Sequence, residues 1–173
     1  KLQLYPGLIA ATTSLGLTEI NAVRATQDTT EVGEFTSDVE AWISVNPDSE
    51  LIPVARANGF THVLVAPMGG TVTGTSGFIK TAGWGVEDMT IKPRAALHLW
   101  WPMMKLNTRP KAAMRDPSKY KSPKEQAKAR DKKLKKIDEF FDEAEAYAKA
   151  RAAGLATFQK IPAWEGVLDA LTG

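Results

Sequence analysis

The chain contains no cysteine, which leaves hydroxyls, carboxylates and two imidazoles as its side chains for chemistry. That excludes thiolate nucleophiles, disulfides and Cys-based zinc sites, though it does not fix a compartment, since exported proteins also lack cysteine at times. Hydroxyls gather in two stretches, "YPGLIAATTSLGL" (residues 5–17) and "MGGTVTGTSG" (residues 68–77). A hydroxyl becomes a useful nucleophile only beside a base. No Gly-x-Ser-x-Gly elbow is present to present one, while a triad assembled in space stays open. His62 and His98 lie far apart and neither has a His-x-His or His-x-x-x-His partner. As a pair they lack metal-ligand spacing, and each reads as a structural histidine.

The glycine-rich run follows an apolar stretch, as phosphate loops do, and Gly69 to Gly74 has the Gly-x-x-x-x-Gly spacing. A phosphate loop then needs Lys, and Thr75 stands there instead. The run therefore reads as a strand-to-loop connection needing positive φ or close backbone approach. Loops at the C-terminal ends of parallel strands line active sites, which makes Thr73, Thr75 and Ser76 the candidate substrate-binding residues. Asp28, Glu31, Glu34 and Asp38 fall in a polar loop without visible pairing. "LWWP" (residues 99–102) reads as core or interface. Lys124–Lys136 is rich in lysine but lacks interleaved aromatics, and acids follow at once, so it reads as a solvated helical face rather than a nucleic-acid contact.

These residues must be held by a scaffold of ordinary composition. Apolar residues make up 43% and charged residues 24% of 173, which suits one domain with a sizeable core. A net charge of +2 does not call for a nucleic-acid or membrane partner, and no apolar run is long enough to span a bilayer. The chain opens "KLQLYPG" without Met, as a piece of a longer protein would. Residues 1–173 read as a single domain in four zones: α/β units over 1–100, an irregular basic connection over 101–121, a long helix over 122–153 and a short amphipathic tail over 154–173. "LYPGLIAATT" is a strand candidate. In "NPDSELIPVARANGFTHVLVAP", Asp48 or Ser49 caps a short helix whose Leu51, Ile52, Val54 and Ala55 share one side. Gly59 follows that helix, and Thr61–Pro67 reads as a buried strand. A helix feeding a continuous apolar strand predicts a parallel sheet covered by helices. "GTSGFIKTAGW" and "ALHLWWP" add extended pieces.

The long helix is signalled locally. Ser122 is a good N-cap, Pro123 fits the first position, Glu125 completes a capping box, and Gly154 ends the pattern. Its apolar stripe is read as Leu134, Ile137, Phe141, Ala144 and Ala148. Lysines fill its first half and acids its second, against the helix dipole, so the first turns are expected to be exposed or frayed.

Residues 5–17, 45–70 and 75–102 together resemble the amidohydrolase superfamily, in its imidazolonepropionase-like and dihydroorotase-like branch. The first barrel strand of that family reads V-x-P-G-L-I-D-x-H-x-H. Pro6, Gly7, Leu8 and Ile9 match it, the family's Asp falls on Ala10, and its two metal-binding histidines fall on Thr12 and Ser14. "ARANGFTHVLVAP" resembles the family's second unit, and "SGFIKTAGWGVEDMTIK" resembles a hairpin over the barrel mouth. "IPAWEGVLDALTG" is similar to the helix before the third strand. The resemblance implies a partial (β/α)8 barrel, the opening slice of a metal-dependent hydrolase whose parent cleaves non-peptide C–N bonds. The family uses a divalent metal such as zinc, but Thr12 and Ser14 offer only neutral hydroxyls, far weaker ligands than imidazole. This chain is therefore expected to bind no metal and to be inactive alone, its catalytic residues unknown and its later ligands elsewhere. The alternative is a non-catalytic binding or interaction module on the same fold. Expected partners are the rest of the parent chain, or a second copy through the sheet edge or the long helix, with no nucleic acid and no membrane.

Overall fold

The computed structural model describes residues 3–114, 116–154 and 158–172. They fall into two compact units: one holds the described residues up to Trp100 with those from 158 onward, and the other those from Trp101 to 154.

The first unit is built on a four-stranded sheet in the order β1 (Leu8–Thr13), β2 (Phe60–Val65), β3 (Val72–Lys80), β4 (Thr90–Leu99). β1 and β2 are parallel, joined by a long connection that includes α1 (Leu51–Ala57). β3 runs antiparallel to both its neighbours, β2 and β4, so the sheet is mixed, not parallel throughout. The reason is the length of the links. Only residues 66–71 separate β2 from β3, too few for a parallel crossover. The short helix α2 (Val86–Met89) sits in the turn between β3 and β4.

The glycine-rich run is thus mostly a strand. Val72, Thr73, Gly74, Thr75, Ser76 and Gly77 are all buried, an unbroken run that no alternating pattern announces. Past the end of β2, residues 34–40 pair with β3 instead: Phe35 faces Val72, and the Thr75 amide donates to the Val39 carbonyl over 2.7 Å. Gly74 has φ +101°, and a Cβ there would overlap the Val39 carbonyl; one at Gly77 would overlap the Trp42 side chain. The glycines are what let residues 34–42 lie this close.

The core of this unit is Leu17, Ala41, Val45, Ile52, Val63, Val65, Ile79 and Met89. On α1 only Ile52 is buried, while Leu51 and Val54 stand exposed, so the expected four-residue face narrows to one. The α1 N-cap is Glu50, without a side-chain cap; Ser49 Oγ instead accepts from the Leu51 amide at 3.3 Å. Helix α4 (Pro162–Thr172) completes the unit: Ser37 Oγ donates to the Ala163 carbonyl, and Val167 and Leu168 are buried.

In the second unit, α3 (Pro123–Ala152) begins where its local signals put it. Ser122 caps the Glu125 amide at 3.3 Å, and Glu125 Oε2 accepts from the Ser122 amide at 2.7 Å. Its buried residues are Ile137, Phe140, Ala144 and Tyr147, displaced from the predicted stripe, with Phe141 and Ala148 only partly covered. The two end turns suit the dipole after all, with Glu125 in the first and Lys149 and Arg151 in the last. The first turns are helical and mostly exposed, the first of the two expected outcomes. Gln126 ties them down: its Nε2 donates to the carbonyls of Asn107 (3.0 Å) and Lys121 (2.7 Å), and its Oε1 accepts from the Asn107 amide (2.8 Å).

Candidate functional site

In a parallel pair the C-terminal strand ends lie at one edge, and here that edge carries Thr12, Thr13 and Ser14 beside Val65 and Ala66. Thr13 pairs with Val65, and the Ala66 amide donates to the Thr13 carbonyl over 3.0 Å. Thr12 is exposed and its Oγ1 donates to the Ala11 carbonyl at 2.7 Å. Thr13 Oγ1 accepts from the Leu15 amide, forming the turn that ends β1. Ser14 is half-buried at the same rim.

The imidazoles are elsewhere. His62 sits opposite Ile9, toward the start of β2; its Nδ1 lies 2.9 Å from Thr61 Oγ1 and its ring stacks on Phe78 at 5.5 Å. His98 lies on β4, and its buried Nε2 has no hydrogen-bond partner among the described residues. Burial pushes its pKa below the ordinary histidine value, which keeps the ring neutral. Among the described residues, no three of His, Cys, Asp and Glu come together as a metal site would require. The donor set at the β1 edge is neutral hydroxyls, one already bonded to its own backbone, and this does not fit a divalent metal.

The second set of hydroxyls is sealed. Thr73 Oγ1 donates to the Pro67 carbonyl at 3.4 Å, Thr75 Oγ1 to the Val39 carbonyl at 3.3 Å, and Ser76 Oγ to the Ala96 carbonyl at 3.2 Å. Of the three, Thr75 also lines a cavity of about 270 Å³ between β4 and α4, with Lys92, Arg94, Leu97, Gly166 and Ala170 among its walls.

One ion pair organises the rim of that cavity. Arg94 Nε and Nη2 both donate to Glu40 Oε1, at 2.9 and 2.5 Å, while Trp42 Nε1 donates to Glu40 Oε2 at 2.7 Å. Burial alone would raise the Glu40 pKa, but the hydrogen bonds from Arg94 and Trp42 and the Arg94 charge bring it below the ordinary carboxylate value. Glu40 is thus held ionised, and it fixes the Arg94 guanidinium at the cavity edge. Sequence reasoning passed over Glu40, Trp42 and Arg94. Positions 40 and 94 meet only through the pairing of β3 with both β4 and the 34–40 segment, and no spacing rule links them.

No family profile and no curated protein matches the chain. Its fold is similar to that of a crystal structure of an amidohydrolase from Thermotoga maritima MSB8, with a TM-score of 0.68 at 22% identity over 94% of this chain. The chain spans 41% of the length of that amidohydrolase. The described residues include no helix long and apolar enough to cross a membrane. The α/β architecture built on a mixed four-stranded sheet is therefore one found within an amidohydrolase structure.

Proposed function

We propose that this chain is the opening part of an amidohydrolase-like protein of the imidazolonepropionase-like branch, folded as part of a (β/α)8 barrel. Its parent hydrolyses non-peptide C–N bonds, and this part supplies scaffold rather than the first pair of metal ligands. The observation that carries the reading is the likeness to the Thermotoga amidohydrolase over 94% of the chain. No catalytic step is routed through Thr12 or Ser14, since a neutral hydroxyl neither holds a divalent ion well nor acidifies a water, and that of Thr12 is already bonded to a carbonyl. Of the candidates Thr73, Thr75 and Ser76, Thr75 is kept as the proposed substrate neighbour because it lines a cavity, while Thr73 and Ser76 are buried with their hydroxyls bonded to backbone carbonyls.

The test is an assay of the longest natural protein containing this chain against a panel of five- and six-membered cyclic amides, reading ring opening by mass spectrometry. The longer protein is expected to open at least one ring and residues 1–173 alone none. A longer protein that is folded yet inert to the whole panel would overturn the hydrolase reading. It would leave the alternative, a non-catalytic interaction module on the same fold, which the loss of both imidazoles at the β1 edge favours.

A further inference from the structure

Within the second unit, three adjoining cavities of about 160, 280 and 430 Å³ share Asn107 and form one groove along the connection 102–121 and the first turns of α3. The Gln126 hydrogen bonds to Asn107 and Lys121 hold its two sides together, so the groove is built in advance of any ligand. Its walls carry apolar groups at intervals: Met103, Leu106, Met114 and Tyr120. The same walls also carry Lys105, Arg109, Lys121 and Lys133. No carboxylate lines the groove among the described residues. Three cations at its walls stand near an acid: Lys119 by Asp116 at 3.5 Å, Arg130 by Asp131 at 2.9 Å, and Lys121 near Glu125, whose pKa is lowered by hydrogen bonds from Ser122 and by the Lys121 charge. For Lys105, Arg109 and Lys133 no ion pair occurs among the described residues.

We infer that this groove docks an acidic peptide segment bearing aliphatic or aromatic side chains. Charge complementarity decides the sign of the ligand: a concave surface with several cations and no anion of its own is matched by carboxylates. The presence of both cations and apolar groups on the same walls decides the rest. A polymer that sets carboxylates and apolar side chains at residue spacing meets both, whereas an inorganic anion meets only one. Met103, 81% exposed, and Met114 are flexible and polarisable, suited to accepting side chains of varied shape. Nucleic acid is disfavoured because Tyr120 is the sole aromatic lining the groove among the described residues. The groove lies wholly in residues 102–133, so this inference does not rest on the amidohydrolase reading.

The experiment uses residues 1–173 and a fluorescein-labelled peptide alternating Asp or Glu with Leu and Phe, read by fluorescence anisotropy. Saturable binding is expected, weakening as NaCl rises from about 50 to about 300 mM. The variant Lys105→Glu/Arg109→Glu is expected to weaken it by about tenfold, and Met103→Ser by about threefold. Both leave helix content by circular dichroism unchanged, because the substituted side chains are exposed. Lys132→Ala, outside the groove, leaves affinity unchanged. Four results would overturn the inference: no binding; equal binding of an all-glutamate peptide; affinity unchanged in the charge-reversed variant; or binding to phosphatidylserine vesicles without binding to the peptide.

Discussion

β1 and β3 both carry hydroxyl side chains, and the two strands use them in opposite ways. On β1 the side chains lean on little: Leu8 is 54% and Ile9 60% exposed, and Thr12 at its end is open to solvent. On β3 the run from Val72 to Gly77 is buried, and Thr73, Thr75 and Ser76 spend their hydroxyls on backbone carbonyls. The lesson concerns availability. A hydroxyl is a candidate for chemistry only where packing leaves it unsatisfied, and packing is set by which segments a strand meets. β3 is crossed by residues 34–42 because glycines admit them, whereas β1 is an edge with a single partner, β2.

The contrast can be broken most sharply at Gly74. Gly74→Ala places a Cβ on the Val39 carbonyl and demands a positive φ of a residue that resists it, so a loss above about 3 kcal/mol, or failure to fold, is expected in chemical denaturation. A thermal midpoint within about 2 °C of the parent would show that residues 34–40 move aside freely and that β3 is no more constrained than β1. Next comes a matched pair of truncations. Ile79→Ala, at a fully buried position on β3, should cost about 3 kcal/mol, while Ile9→Ala on β1 should cost less than about 0.5 kcal/mol. Equal costs would mean that β1 is covered in solution.

The smallest effect is a pH dependence at β4, the other edge of the sheet. Because burial lowers the His98 pKa, the unfolded chain takes up a proton at a higher pH than the folded one. Stability is then full above the ordinary histidine value and falls as the solution is acidified below it, toward the lower folded value. His98→Phe should flatten that decline in thermal midpoint between about pH 7.5 and about pH 5. An unchanged slope would assign it to other groups.

How far these features could be read in advance depends on how local their causes are. The α3 start was legible because Ser122, Pro123 and Glu125 act within one turn, and β2 because its apolar run follows a helix closed by Gly59, which has φ +87°. The direction of β3 was also legible in principle, since residues 66–71 are too few to cross over. That β3 is a strand was legible in part: residues 74–84 read as an extended piece, whereas its start at Val72 and the burial of Val72–Gly77 were not, because glycines at 74 and 77 argue against a strand interior until Val39 and Trp42 are seen packed on them. The α3 stripe missed Phe140 and Tyr147 because adjacent aromatics, Phe140 and Phe141, offer two faces and only the tertiary structure chooses one. The Glu40–Arg94 pair had no sequence signal whatever. Thr12 and Ser14 were singled out through a family pattern; the exposure of Thr12 then follows from β1 being an edge, while Ser14, just past the strand, is half-buried.

The decisive property of this chain is what the end of β1 presents to a metal. Titration calorimetry of zinc into residues 1–173, beside the variant Thr12→Ala/Ser14→Ala, measures this directly. Identical isotherms for the two proteins are predicted, since the hydroxyls contribute no ligation. A saturable site in the parent that vanishes in the variant would contradict the account.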